Sequence, residues 1–192
     1  MSTIPFAAAL IAGGRSRRMG CDKARLPVGD GVELWRRQLS VLRELGAEEL
    51  LISCRPDQLH FAEEPGVRLV FDEWPDAGPL GGIVPCLESV SADRLMVLGV
   101  DMPLMTAEVL RHLLSQSGPG RGAVFRNGRF FEPLAALYLK SMAADGQDRL
   151  RTGNLSLQPW LREGVDCGIL GTVDLPKALT VHFQNLNSPQ DL

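Results

Sequence analysis

Residues Phe6 to Ala12 form an unbroken apolar run that ends in two adjacent glycines, Gly13 and Gly14. A run this short, with no polar alternation, reads as a strand buried on both faces, as in a parallel sheet flanked by helices. The paired glycines let the backbone turn sharply and leave its N–H groups open to a ligand. Five cations then fall within eleven residues: Arg15, Arg17, Arg18, Lys23 and Arg25, opposed only by Asp22. The net charge of the chain is -3, so this cationic density is local. A strand, a glycine turn and clustered cations suit a polyanion such as a nucleoside triphosphate. A solvated basic loop is the alternative reading. The segment fits neither G-x-x-x-x-G-K-[ST] nor G-x-G-x-x-G, which excludes a Walker A loop and a dinucleotide fingerprint.

The rest of the chain repeats the pattern of apolar runs alternating with amphipathic stretches, which predicts an α/β fold with a mainly parallel sheet. A helix is expected over Glu33–Leu45, with Gly46 as its stop, and strands over Glu48–Cys54 and Val67–Phe71. Gly78-Pro79-Leu80-Gly81-Gly82 opens a helix towards Val90, with Pro85 tolerated in the first turn. Leu95–Val100 is a further strand, and Thr106 is the N-cap of a helix to Gln116. Ala123–Arg126 and Leu134–Tyr138 flank a turn at Asn127-Gly128, and Ser141–Leu150 is helical. Residues 151–177 carry no clear pattern. Leu179–Phe183 is a last strand candidate, and Ser188-Pro189 would start a short helix.

At 192 residues the chain suits one compact domain over residues 1–192, long enough to bury a sizeable core. A pI near 5.6 argues against broad nucleic-acid binding. The apolar N-terminal stretch is too short to span a bilayer and lacks the cationic start of a signal peptide. Cys21, Cys54, Cys86 and Cys167 are widely spaced, without C-x-x-C or zinc-ligand spacing. They read as reduced thiols in a cytoplasmic protein that binds neither membrane nor nucleic acid.

Two carboxylates stand where α/β sheets bind ligands, at the C-terminal ends of strands. Asp101 follows the run Leu95–Val100, and Asp72 follows Val67–Phe71. A carboxylate so placed suits Mg²⁺, which takes one or two protein carboxylates and completes its shell with phosphate and water. A turn aspartate is the alternative at each position. Lys23 offers a compact charge on a flexible stem, and Arg18 a bidentate clamp for phosphate oxygens. His60, His112 and His182 show no nucleophile or metal spacing, which fits phosphoryl-centre chemistry driven by charge and positioning.

Ile11 to Lys23 resembles the opening loop of MobA-type molybdenum cofactor guanylyltransferases, L-A-G-G-x-S-x-R-M-G-x-D-K. Asp101-Met102-Pro103 is similar to that family's D-x-P, Gly78–Gly82 to its G-P-L-x-G, Phe131–Tyr138 to a segment built on E-P-L-x-A-x-Y, and Asn185-Leu186-Asn187 to its N-x-N. The resemblance implies a Rossmann-like three-layer nucleotidyltransferase fold. It implies transfer of GMP from GTP to the phosphate of molybdopterin, with release of pyrophosphate and Mg²⁺ as cofactor. It assigns Arg18, Lys23 and Asp101 to catalysis, with Asp101 on the metal. Ile11, Ala12, Gly13, Gly14, Lys23, Asp72, Gly81 and Asp101 would contact the nucleotide, and Asn185 and Asn187 would edge the acceptor site. Transient contacts with other cofactor-biosynthesis proteins or molybdoenzyme chaperones belong to the same implication. The chain departs from the family at Gly99-Val100, where Pro-Cys is common. It also carries Cys54 before Arg55 where many members have a nucleotide-touching asparagine, which bears on the choice between GTP and CTP. A nucleotidyltransferase using CTP or another phosphorylated acceptor, and a non-catalytic nucleotide binder, are the alternatives.

Overall fold

A computed structural model describes residues 4–14, 22–29, 31–74 and 76–186. The chain begins with β1 (Ala7–Ile11), followed by a 3₁₀ turn at Lys23–Arg25 and a small hairpin of β2 (Pro27–Val28) and β3 (Val32–Glu33). Next come α1 (Leu34–Arg43), β4 (Glu49–Cys54), β5 (Arg68–Phe71), α2 (Pro79–Ser89) and β6 (Arg94–Gly99). The second half holds α3 (Ala107–Ser115), β7 (Gly122–Asn127), β8 (Phe130–Leu139), α4 (Ala143–Thr152), α5 (Leu157–Asp166) and β9 (Leu170–Asp174).

Seven strands form one sheet in the order β5-β4-β1-β6-β8-β7-β9. The pairs β5–β4, β4–β1, β1–β6 and β7–β9 are parallel, and β8 runs against both of its neighbours. Successive side chains of β1 enter opposite layers, as strand geometry requires. Ala8 and Leu10 join α1 and α3 residues such as Leu34, Trp35, Leu39 and Leu110. Ala7, Ala9 and Ile11 face the layer of α2, α4 and α5, with Leu80, Leu87, Leu150 and Trp160. The fold is thus a mainly parallel sheet between two helical layers, as expected. After β1 the chain moves outward through β4 to β5, then returns to place β6 on the other side of β1. That reversal leaves a crevice at the C-terminal ends of β1, β4, β5 and β6, the position at which such sheets bind ligands.

The Thr106 hydroxyl accepts from Val109 N–H and starts α3 where the sequence predicts. Two expectations are corrected, and one region left unread takes shape. Residues 177–183 form a 3₁₀ stretch, not a strand. Pro85 lies in the interior of α2, not its first turn, so it has no N–H to offer the carbonyl of Gly81 four residues back. The unpatterned region 151–177 contains both α5 and β9. Ser188 and Pro189 lie outside the described residues.

Candidate active site

The crevice is a cavity of about 620 Å³. Its walls come from four strand ends: Ile11 to Gly14 after β1, Ser53 and Arg55 at β4, Asp72 after β5, and Val100 and Asp101 after β6. Asp22 and Lys23 from the 3₁₀ turn, Leu134 from β8, and the segment from Trp74 into the start of α2 also contribute. The register explains the convergence, since Ile11 pairs with both Ser53 and Gly99, so the chains leave the sheet side by side.

The glycine turn is held from outside. Ala12 N–H donates to the Ser53 carbonyl at 2.8 Å. The Arg55 guanidinium donates to the carbonyls of Gly13 and Gly14 at 3.3 and 2.9 Å and pairs with Asp57. A trans peptide points its N–H opposite its C=O, so the bond to the Gly13 carbonyl turns the Gly14 N–H away from Arg55.

Asp101 is the most exacting group in the cavity. Its Oδ1 is buried and has no hydrogen-bond partner among the described residues. Burial pushes its carboxyl above the ordinary range, with the nearby Lys23 ammonium opposing that shift. A Cβ at Gly99 would sit 3.0 Å from this oxygen and as close to the Leu134 side chain. The segment after Asp101 is gripped by α1: Gln38 Nε2 donates to the Met102 carbonyl at 2.6 Å and Arg37 Nε to the Pro103 carbonyl at 2.9 Å. A buried, partnerless carboxylate oxygen fits a hard cation such as Mg²⁺. No group of three or more His, Cys, Asp or Glu side chains among the described residues could cage a metal. An ion here would therefore draw most of its shell from phosphate and water, as Mg²⁺ does.

Lys23 reaches the same cavity. Asp22 Oδ1 accepts from Ala24 N–H at 3.1 Å and caps the turn that carries it. Its Nζ donates to the Leu186 carbonyl at 2.6 Å, and Leu186 N–H donates to the Asp101 carbonyl at 2.7 Å. The C-terminal segment thus ties the lysine to the carboxylate loop.

Asp72 lies across the cavity. Its Oδ1 accepts from Trp74 N–H at 3.0 Å, while burial raises its carboxyl. Gly81 packs directly on it: a Cβ there would meet Asp72 Oδ1 at 2.7 Å. Gly78, Pro79 and Gly82, rather than Gly81, line the cavity itself. The Cys54 side chain sits in the core beneath the sheet, where burial pushes its thiol up to about 11. Its neighbours line the cavity instead, Ser53 from β4 and Arg55 just after it. Asn185 borders a second cavity of about 640 Å³ with Arg37 and Leu104. Arg18 and Asn187 lie outside the described residues.

Sequence reading missed Arg55, Gln38 and Gln58. Each is one polar residue with at least one partner more than 35 residues away, as in Gln58 Nε2 to the Ala12 carbonyl. No local pattern announces such contacts.

The description "MobA-like NTP transferase domain" matches residues 8–167. The chain belongs to the MobA-like NTP transferase family. Among MobA-like relatives, the probable molybdenum cofactor guanylyltransferase of Opitutus terrae is 40% identical, covering 97% of this chain and 92% of its own length. The molybdenum cofactor guanylyltransferase of Syntrophotalea carbinolica is 34% identical, covering 96% and 87%. Among solved structures, molybdopterin-guanine dinucleotide biosynthesis protein A from Archaeoglobus fulgidus superposes with a TM-score of 0.74 at 21% identity, over 96% of this chain and 94% of that one. The 2-C-methyl-D-erythritol 4-phosphate cytidylyltransferase of Thermus thermophilus gives 0.66 at 18%, over 95% and 93%. The MobA-like fold is therefore shared with enzymes named for a different nucleotide.

Proposed function

We propose that this MobA-like protein is a molybdenum cofactor guanylyltransferase that transfers GMP from GTP to the terminal phosphate of molybdopterin. The observation that carries the reading is the buried Oδ1 of Asp101, without a hydrogen-bond partner among the described residues and set in one cavity with Lys23 and the Gly13-Gly14 turn. A passive nucleotide binder has no use for a carboxylate kept unsatisfied at that cost. The near-full-length likeness to relatives named for this activity supports the same choice.

In this reading the glycine-turn N–H groups and Lys23 receive the triphosphate. Asp101 would hold Mg²⁺, which when bound offsets charge on donor and acceptor phosphates. An oxygen of the acceptor phosphate attacks the α-phosphorus of GTP. The α–β phosphoanhydride bond breaks, and its electron pair leaves with pyrophosphate. Lys23 offsets the charge that builds on the departing oxygens, and Arg18, by its place in the motif, serves the same phosphates. No covalent enzyme intermediate is required. Asp72, with Gly81 packed behind it, forms the opposite wall against the nucleoside, and Asn185 and Asn187, by their place in the N-x-N motif, belong to the acceptor side. Because Cys54 is buried, base choice falls to groups that line the cavity: Arg55, Asp72 and Trp74. The partners are GTP and molybdopterin in the cytoplasm, with brief contacts to other cofactor-biosynthesis proteins. Among the described residues no helix is long and apolar enough to cross a membrane.

Purified protein, Mg²⁺, molybdopterin and each of the four nucleoside triphosphates test this directly. Pyrophosphate release is expected with GTP and only when acceptor and metal are present. Release with CTP, or with a sugar phosphate in place of molybdopterin, would transfer the protein to another branch of the nucleotidyltransferases.

A further inference from the structure

Gln58 follows the turn after β4 and is 2% exposed. Its amide is shared among three separate segments. Oε1 accepts from Arg55 N–H at 2.9 Å. Nε2 donates to the Ala12 carbonyl at 3.2 Å and to Asp22 Oδ2 at 2.7 Å. The partners fix the orientation of the amide, because a backbone N–H needs the oxygen and a carbonyl and a carboxylate need the NH₂ group. Asp22 passes the constraint on, since its other oxygen caps the turn that carries Lys23.

Ala12 and Asp22 flank the arginine-rich segment in the sequence. One buried side chain therefore holds both ends of that segment at a set separation, and Arg55 at the same time. Closing such a segment costs chain entropy, and a site closed in advance spares the ligand that cost.

We infer that Gln58 is a positioning residue: it fixes the glycine turn and the Asp22-Lys23 turn relative to each other, so that the triphosphate cradle exists before nucleotide arrives. The consequence for nucleotide rests on the function proposed above. Gln58 does not line the cavity, so its effect passes through Ala12, Asp22 and Arg55.

Two variants separate this from a merely structural role. Gln58→Leu keeps the bulk but removes all three hydrogen bonds. Gln58→Glu keeps the acceptor for Arg55 N–H but sets an oxygen against the Ala12 carbonyl and the Asp22 carboxylate, and protonation restores one donor. Asp22, Arg55, Asp57 and His60, whose Nε2 lies 3.9 Å from Asp22 Oδ2, surround the site. Parent and leucine variant are therefore carried through the same pH series. In nucleotide-free protein, Gln58→Leu should speed amide hydrogen exchange over residues 12–14 and 22–26, with the core strands unchanged. KM for GTP should rise about tenfold, with kcat much less affected. Gln58→Glu should recover towards the parent as pH falls from about 8 to about 5.5, and Gln58→Leu should not. Unchanged exchange in both variants at about pH 8, or an unchanged KM at that pH in either variant where the parent uses GTP, overturns the inference. If the parent shows no affinity for GTP, the proposed function fails, and the exchange measurement alone decides whether Gln58 joins the two turns.

Discussion

At Asp101 stability and function pull in opposite directions, and at Lys23 they do not. The Asp101 carboxyl is held above its ordinary range by burial, with Lys23 only partly offsetting this. A carboxyl whose folded pKa is raised favours folding most when protonated, and that contribution is lost as pH rises through the raised value. Asp101→Asn should therefore melt no lower than the parent at neutral pH without nucleotide, and the difference should shrink below about pH 4. The same change should cut Mg²⁺-dependent pyrophosphate release about a hundredfold or more. Activity within a few fold of the parent would make Asp101 a turn residue. Lys23 behaves differently, because its Nζ also serves the buried Leu186 carbonyl. Lys23→Ala should fold but lose about 1–2 kcal/mol in urea unfolding, while triphosphate binding in calorimetry weakens about tenfold or more. Both residues are legible in the sequence because each sits beside a local signal, an apolar strand before one and the glycine-arginine motif around the other. Gln58, Arg55 and Gln38 are not, because what defines them is a partner distant in the chain.

At the scale of elements, the parallel strands declare themselves because burial on both faces makes them apolar throughout. Leu179, Val181 and Phe183 alternate like a strand, yet Val181 is 43% exposed and no neighbouring strand among the described residues accepts the segment. Alternation marks a strand only where a sheet edge is there to pair with it. The opposite error hides α5, whose apolar Leu157, Trp160 and Leu161 have helical spacing but follow Gly153 and include Pro159, both signals of irregular chain. The junction of β5 with α2 allows a test in which two effects compete. Alanine in place of a helical glycine ordinarily gains about 0.5–1 kcal/mol. At Gly81 the added Cβ would meet Asp72 Oδ1 at 2.7 Å and the Ala77 Cβ at 3.1 Å. The contacts should win, so that Gly81→Ala lowers stability by about 1–3 kcal/mol and displaces Asp72, with weaker nucleotide binding. A gain in melting temperature with unchanged binding would show that Asp72 moves aside at no cost.

At the scale of the molecule, the sheet order decides where the crevice lies but not which nucleotide it would take. The reversal between β1 and β6 gathers four strand ends into one crevice. The same arrangement serves a cytidylyltransferase that superposes over 95% of the chain. Base choice must then come from side chains on the crevice wall, and it should appear as ligand-linked stability. A ligand that binds the folded form alone stabilises it by about 2.7 kcal/mol at one hundred times its dissociation constant. For a chain of this length that corresponds to a rise of roughly 5–10 °C in Tm. With Mg²⁺ present, GTP at a fixed concentration should raise Tm by that order and CTP by clearly less. The GTP shift should shrink in Asp101→Asn, which removes the carboxylate proposed to hold the metal, although that variant starts from an equal or higher Tm. A larger shift with CTP would overturn the guanine assignment while leaving the fold and the metal site intact. Equal shifts with and without Mg²⁺ would count against Asp101 as the ion's holder.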